Sequence, residues 1–138
     1  MATTYNIKYK NHCTPQEQIS SGGRYYLDSD CGRKLTGEAS ITPSSTSYSS
    51  ETEITSTSTE IASDKDFVFI KNTGGGSGDD VLISFNGADD STAPEYLTKL
   101  SSGEALSVEL RPTGVDDSSV RVKCISGEDS TIEYFTGT

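Results

Sequence analysis

Leu, Ile, Val and Phe are distributed very unevenly along this sequence. Residues 1–62 hold seven of them (Ile7, Ile19, Leu27, Leu35, Ile41, Ile54 and Ile61), and residues 66–138 hold nineteen. A domain stays folded only if apolar burial offsets the entropy lost on ordering the chain. Only the second segment meets that condition, and roughly 70 residues of β structure still make a small, marginal core. The sequence therefore predicts an extended Ser/Thr-rich arm with short strands over 1–62 and a compact β-sandwich over 63–138. The arm must borrow burial from the sandwich or from another chain.

Charge narrows the function classes. The 138 residues carry 11 Lys and Arg against 21 Asp and Glu, a net charge of −10. Nucleic-acid and anionic-membrane binding need a basic surface, so neither is expected. The imbalance grows along the chain, from +2 over residues 1–34 to −4 over 35–65 and −8 over 66–138. No apolar run approaches the ~18 residues of a membrane span, and no charged-then-apolar signal segment opens the chain. Three cysteines, Cys13, Cys31 and Cys124, are an odd number. The expectation is reduced, buried thiols in a cytosolically assembled protein, with a Cys13–Cys31 disulfide as the alternative.

Strand signals recur roughly every 8–12 residues, the spacing of an all-β sandwich or barrel. The single helix signal is Thr14-Pro15-Gln16-Glu17-Gln18, a cap followed by Pro at the first helical position, which supports one turn. In the arm, Tyr5, Ile7 and Tyr9 share one face at period two. Arg24–Leu27 and Glu38–Thr42 are extended, and Pro43 ends regular pairing because it has no N–H to donate. Residues 44–60 are rich in Ser and Thr. They read as an extended linker or edge strand anchored by Tyr48 and Ile54.

The second half is better patterned. Phe67–Ile70 is a continuous apolar run that fits a strand buried on both faces. After the Gly-rich loop at 74–78, Val81, Ile83 and Phe85 alternate with Leu82 and Ser84, and Asn86-Gly87 suits a tight turn. Tyr96, Leu97 and Leu100 mark the next strand. Leu106, Val108 and Leu110 follow, stopped by Arg111-Pro112. Val120, Val122 and Cys124, then Ile132 and Tyr134, complete six strands. The fold class is therefore all-β, an antiparallel sandwich of jelly-roll-like or Ig-like type with solvated outer faces and an extended N-terminal arm.

Catalytic chemistry has little to stand on. His12 is the single histidine and no G-x-S-x-G elbow is present, so no nucleophile–base pair is expected and the chain is read as a non-enzyme. His12 and the three cysteines lack the C-x2-4-C spacing of a zinc site. The acidic pairs Asp79-Asp80, Asp89-Asp90, Asp116-Asp117 and Glu128-Asp129 are the right groups for calcium, and Asp28-Ser29-Asp30-Cys31-Gly32 starts like a calcium loop. Turn residues facing solvent are the simpler reading of all five, so no metal or cofactor is expected. Sugar clefts usually carry Trp, which is absent. Tyr suits surfaces with one wet and one buried end. Tyr5, Ile7, Tyr9, Tyr25, Tyr26, Tyr48 and Ile54 are therefore the candidate partner-binding residues.

The stretches Phe67–Gly74 (F-V-F-I-K-N-T-G), Val81–Gly87 (V-L-I-S-F-N-G), Tyr96–Leu110 and Val120–Phe135, ending I-E-Y-F, resemble small β-sandwich virion proteins of tailed phages. The resemblance implies a non-enzymatic particle component, first of all a capsid decoration (cement) protein assembled in the host cytoplasm. Its partners would be the major capsid protein or other virion proteins, together with copies of itself. A tail, neck or baseplate component is the alternative within the particle. Outside it, the alternative is a secreted sandwich that binds sugar or calcium.

Overall fold

The computed structural model describes residues 3–18, 22–75, 77–85, 95–110 and 119–138. These residues form two compact units: residues 43–138 together with residues 3–5, and residues 6–42. The smaller unit contains β1 (Ile7–Cys13), β2 (Gln16–Glu17), β3 (Tyr26–Leu27) and β4 (Leu35–Ile41). The larger contains β5 (Thr46–Ile54), β6 (Thr59–Ser63), β7 (Phe67–Asn72), β8 (Val81–Ser84), β9 (Thr98–Leu100), β10 (Ala105–Glu109), β11 (Ser119–Lys123) and β12 (Ser130–Gly137). Every ladder is antiparallel, and the described residues contain no helix.

The larger unit is a sandwich of two four-stranded sheets, ordered β10-β7-β12-β5 and β6-β11-β8-β9. Successive strands change sheet at every step except β8 to β9, which pair with each other. This is the strand order of a jelly roll, and it resolves the two sandwich types the sequence left open. Its core follows from period-two alternation. Ile54, Val68, Ile70 and Ile132 come from one sheet, and Ala62, Val81, Ile83, Leu100, Val120 and Val122 from the other. Fully burying one such side chain stabilises by about 1.5–3 kcal/mol.

One end of the sandwich is tied by a buried amide. Asn72 Nδ2 donates to the carbonyls of Asp79 and Leu100, both at 2.9 Å. Its Oδ1 accepts from Gly74 N at 3.0 Å and from Ser130 Oγ at 2.7 Å. Both donors and both acceptor sites of the side chain are used. The amide thus links the end of β7, the loop after it, β9 and the start of β12. At the neighbouring loop, an ideal Cβ on Gly75 would lie 2.1 Å from Thr131 Oγ1, so only glycine fits there.

Several expectations change. Residues 46–63 are not arm but two sandwich strands, and the compact unit starts at Pro43 rather than 63. Each edge strand needs only one or two inward side chains, and Ile54 and Ala62 supply them, so a low apolar count did not exclude membership. Thr14–Gln18 forms no helical turn: Gln16 and Glu17 pair with Leu27 and Tyr26. A single helical turn fixes several dihedrals for one hydrogen bond, and a ladder replaces it here. Val68 and Ile70 lie in the core, whereas Phe67 and Phe69 are on the outer face. Phe67 is nevertheless buried there, edge-on to Phe135 at 6.4 Å. The Asn86-Gly87 turn, the Arg111-Pro112 stop and the pairs Asp89-Asp90 and Asp116-Asp117 lie outside the described residues, as do Ile19 and Gly76.

Candidate interaction surface

The smaller unit is a two-stranded ribbon carrying a second, shorter ladder. β1 and β4 pair over seven positions, from Ile7↔Ile41 to Cys13↔Leu35. Directly opposed residues share a face. One face therefore carries Ile7, Tyr9, Asn11 and Cys13 with Leu35, Gly37, Ala39 and Ile41. The other carries Lys8, Lys10 and His12 with Thr36, Glu38 and Ser40, and Lys10 Nζ lies 3.4 Å from Glu38 Oε1. The ribbon is apolar on one side and polar or charged on the other.

Such a face usually lies on a core, but none of the described residues between 6 and 42 is buried. An isolated two-stranded hairpin is marginal in water; a third strand or a packed surface is what stabilises it. The seven ladder pairs hold no buried side chain.

The segment between β1 and β4 is held by backbone capping. Asp28 N donates to Pro15 O, and Ser29 N donates to Glu17 Oε1, each at 3.0 Å. Asp28 Oδ1 accepts from Asp30 N at 2.9 Å and from Cys31 N at 3.0 Å. The run that starts like a calcium loop is thus an Asx turn whose lead carboxylate is occupied by backbone donors. This turn presents Tyr25, Tyr26 and Leu27 to solvent, with Tyr25 61% exposed.

The candidate residues do not form one site. Ile7 and Tyr9 share the apolar ribbon face, while Tyr25 and Tyr26 sit in the capped segment. Tyr5 is half-buried and clusters with the larger unit. Tyr48, 59% exposed on edge strand β5, donates its hydroxyl to Glu133 Oε2, which pushes the phenol above its ordinary range, first through that hydrogen bond. Ile54 is a correction: it is wholly buried in the sandwich core and has no surface to offer a partner. Leu35, Ala39 and Ile41 were missed, although L-T-G-E-A-S-I shows them at period two.

The acidic loops are internally engaged. Ser77 N donates to Asp129 Oδ1 at 2.6 Å, and Ser77 Oγ, with one proton to donate, lies within hydrogen-bond reach of both Asp129 O, at 2.8 Å, and Asp79 Oδ2. These Ser77 bonds hold the Asp129 carboxyl below its ordinary range. Glu128 moves up, through desolvation first and then the charges of Asp79 and Asp80. Among the described residues, no group of three or more His, Cys, Asp or Glu side chains is arranged to hold a metal ion. The thiols are free: Cys13 is exposed, Cys31 partly so, and only Cys124 is buried, which narrows the expectation of buried thiols to one.

Comparison with protein-family models, with curated proteins and with solved structures found no match.

Proposed function

We propose that this chain is a structural, non-enzymatic component of a tailed-phage particle, a capsid decoration protein whose β1–β4 ribbon attaches it to neighbouring subunits. The observation that carries the reading is the ribbon: seven paired positions, one apolar face and no buried side chain. A surface of major capsid protein or a neighbouring copy would cover that face, and many copies on a lattice would turn weak single contacts into firm attachment. The jelly-roll order supports the reading by analogy only, since capsid domains, lectins and cupins share it. The sequence stretches resembling phage virion proteins add to it. A secreted calcium-binding sandwich is less well supported, because the carboxylates of Asp28, Asp79 and Asp129 already accept hydrogen bonds from the chain itself.

The experiment is excision of the ribbon. Ile7 and Ile41 are ladder partners, and Cα atoms so paired lie about 5 Å apart, so a short Gly-Ser link can replace residues 6–42. The excised variant should keep the far-UV spectrum and cooperative melt of the sandwich and lose binding to particles. Normal coating of particles by the excised variant would overturn the reading. A decoration role also requires far more copies per particle than a tail component has.

A further inference from the structure

The outer face of the β6-β11-β8-β9 sheet gathers, among the described residues, a cluster of basic side chains in an otherwise acidic unit. Residues 43–138 contain six basic and seventeen acidic side chains. Three of those six, Lys99, Arg121 and Lys123, lie on this one face. Register places Lys99 opposite Leu82 and Leu82 opposite Lys123, with Arg121 one step along between Glu60 and Ser84. The alternate residues Val81, Ile83, Leu100 and Val122 point into the core.

These cations are held in place. Lys123 Nζ sits 4.3 Å from the centre of the Tyr96 ring, and the Tyr96 hydroxyl is hydrogen-bonded to Ser58 Oγ. Arg121 Nη1 donates to Ser58 Oγ at 3.3 Å. Two large apolar side chains flank them: Leu97, two residues before Lys99, is 85% exposed, and Ile125, two residues after Lys123, is 53% exposed. The patch abuts the acidic loops at one end, where Lys99 Nζ lies 3.7 Å from Asp80 Oδ2.

We infer that this face is a self-association surface, on which two copies of the chain pair about a two-fold axis. The occupant follows from the charge pattern. Cations and carboxylates lie side by side, so a half-turn sets the Lys99 and Lys123 end of one copy against the Asp80 and Glu128 end of the other. Ile125, on the acidic-loop side of Lys123, is then covered near the axis, and Leu97, on the far side of Lys99, is covered at the rim. A uniformly acidic partner would meet the acidic loops as like charge, and a uniformly basic one would meet the lysines. Because Lys123 and Arg121 are already held by Tyr96 and Ser58, little of their side-chain order is lost on contact. The inference does not involve the ribbon and stands apart from particle attachment.

The test is sedimentation velocity on the full-length protein at about 50 mM and about 500 mM salt, where screening lengths differ severalfold. The wild type should dimerise at low salt and weaken at high salt. The double variants Lys99→Glu/Lys123→Glu and Asp80→Lys/Glu128→Lys should each weaken self-association by about tenfold or more. Mixed together they should pair, because every facing charge is again opposite. Lys71→Glu, on the other sheet, should leave association unchanged. Circular dichroism melts confirm that each variant is folded, and Leu97→Ser with Ile125→Ser weakens the dimer without altering charge. A wild type that stays monomeric at low salt, charge reversals without effect, or a mixture that fails to pair would each overturn the inference. Loss of dimerisation with particle binding intact would leave the ribbon reading untouched.

Discussion

Ser130 Oγ donates a 2.7 Å hydrogen bond to Asn72 Oδ1, and both residues are fully buried. This contact joins the start of β12 to the end of β7 beneath the Gly-rich loop. A buried amide of this kind stabilises only while all its partners are present, because any group left unpaired bears its full desolvation cost. Asn72→Ala should therefore destabilise the sandwich by about 3–5 kcal/mol. Asn72→Asp should also destabilise it, since a carboxylate cannot donate to the carbonyls of Asp79 and Leu100. Urea unfolding followed by far-UV circular dichroism measures both.

Tyr48 and Ile54 lie on the same strand, yet their substitutions should differ sharply. Ile54→Ala removes a wholly buried side chain from the core and should cost about 2–5 kcal/mol. Tyr48→Ala removes an exposed phenol and its bond to Glu133 and should leave the urea midpoint nearly unchanged. Comparable losses in urea unfolding would contradict the assignment of β5 as a sandwich edge strand with one inward anchor.

Much of the larger unit was legible because its strands alternate clearly: Val120, Val122 and Cys124, or Val81 and Ile83, name their own inward faces. β5 and β6 were harder to place. Ser and Thr dominate β5, and edge strands bury little, so the inward signal rested on Ile54 in β5 and on Ile61 and Ala62 in the short β6. Asn72 stands within K-N-T-G, but nothing in one sequence marks an asparagine as buried; its partners Leu100 and Ser130 lie far along the chain. The ribbon was half visible. Tyr5, Ile7 and Tyr9 gave one strand, while the apolar face of β4 rests on Leu35, Ala39 and Ile41, diluted by Gly37.

Asp129 and Glu128 should shape acid stability in opposite senses. The Asp129 carboxyl titrates below its ordinary 3.8 in the folded chain. Its contribution is thus complete above that value and lost as pH falls through the folded one. Glu128 titrates above its ordinary 4.5. Its contribution is complete below that value and lost as pH rises through the folded one. Glu128→Gln should accordingly raise the melting temperature at neutral pH, where the native carboxylate is crowded by Asp79 and Asp80. Asp129→Asn should lower it there and flatten the acid limb. Thermal melts across the acid range distinguish the two.

The three thiols should react in order of access. Burial, reinforced by Asp79 and the other acidic loop residues, pushes the Cys124 thiol up to about 11. Very little of it is thiolate at pH 8, and the thiolate is the reactive form. An aromatic disulfide reagent at pH 8 should label Cys13 quickly and leave Cys124 unlabelled until denaturant is added. Rapid labelling of Cys124 in the native protein would place β11 outside the core.

The central claim is that the β1–β4 ribbon has no core of its own and is completed by another surface. Amide hydrogen exchange, read residue by residue on the isolated monomer and on the protein bound to particles, tests this most directly. In the monomer, Ile7–Cys13 and Leu35–Ile41 should exchange far faster than β7 and β12, and binding should slow them to the rate of the sandwich strands. Slow exchange along both ribbon strands in the free monomer, or fast exchange that binding leaves unchanged, would contradict the account.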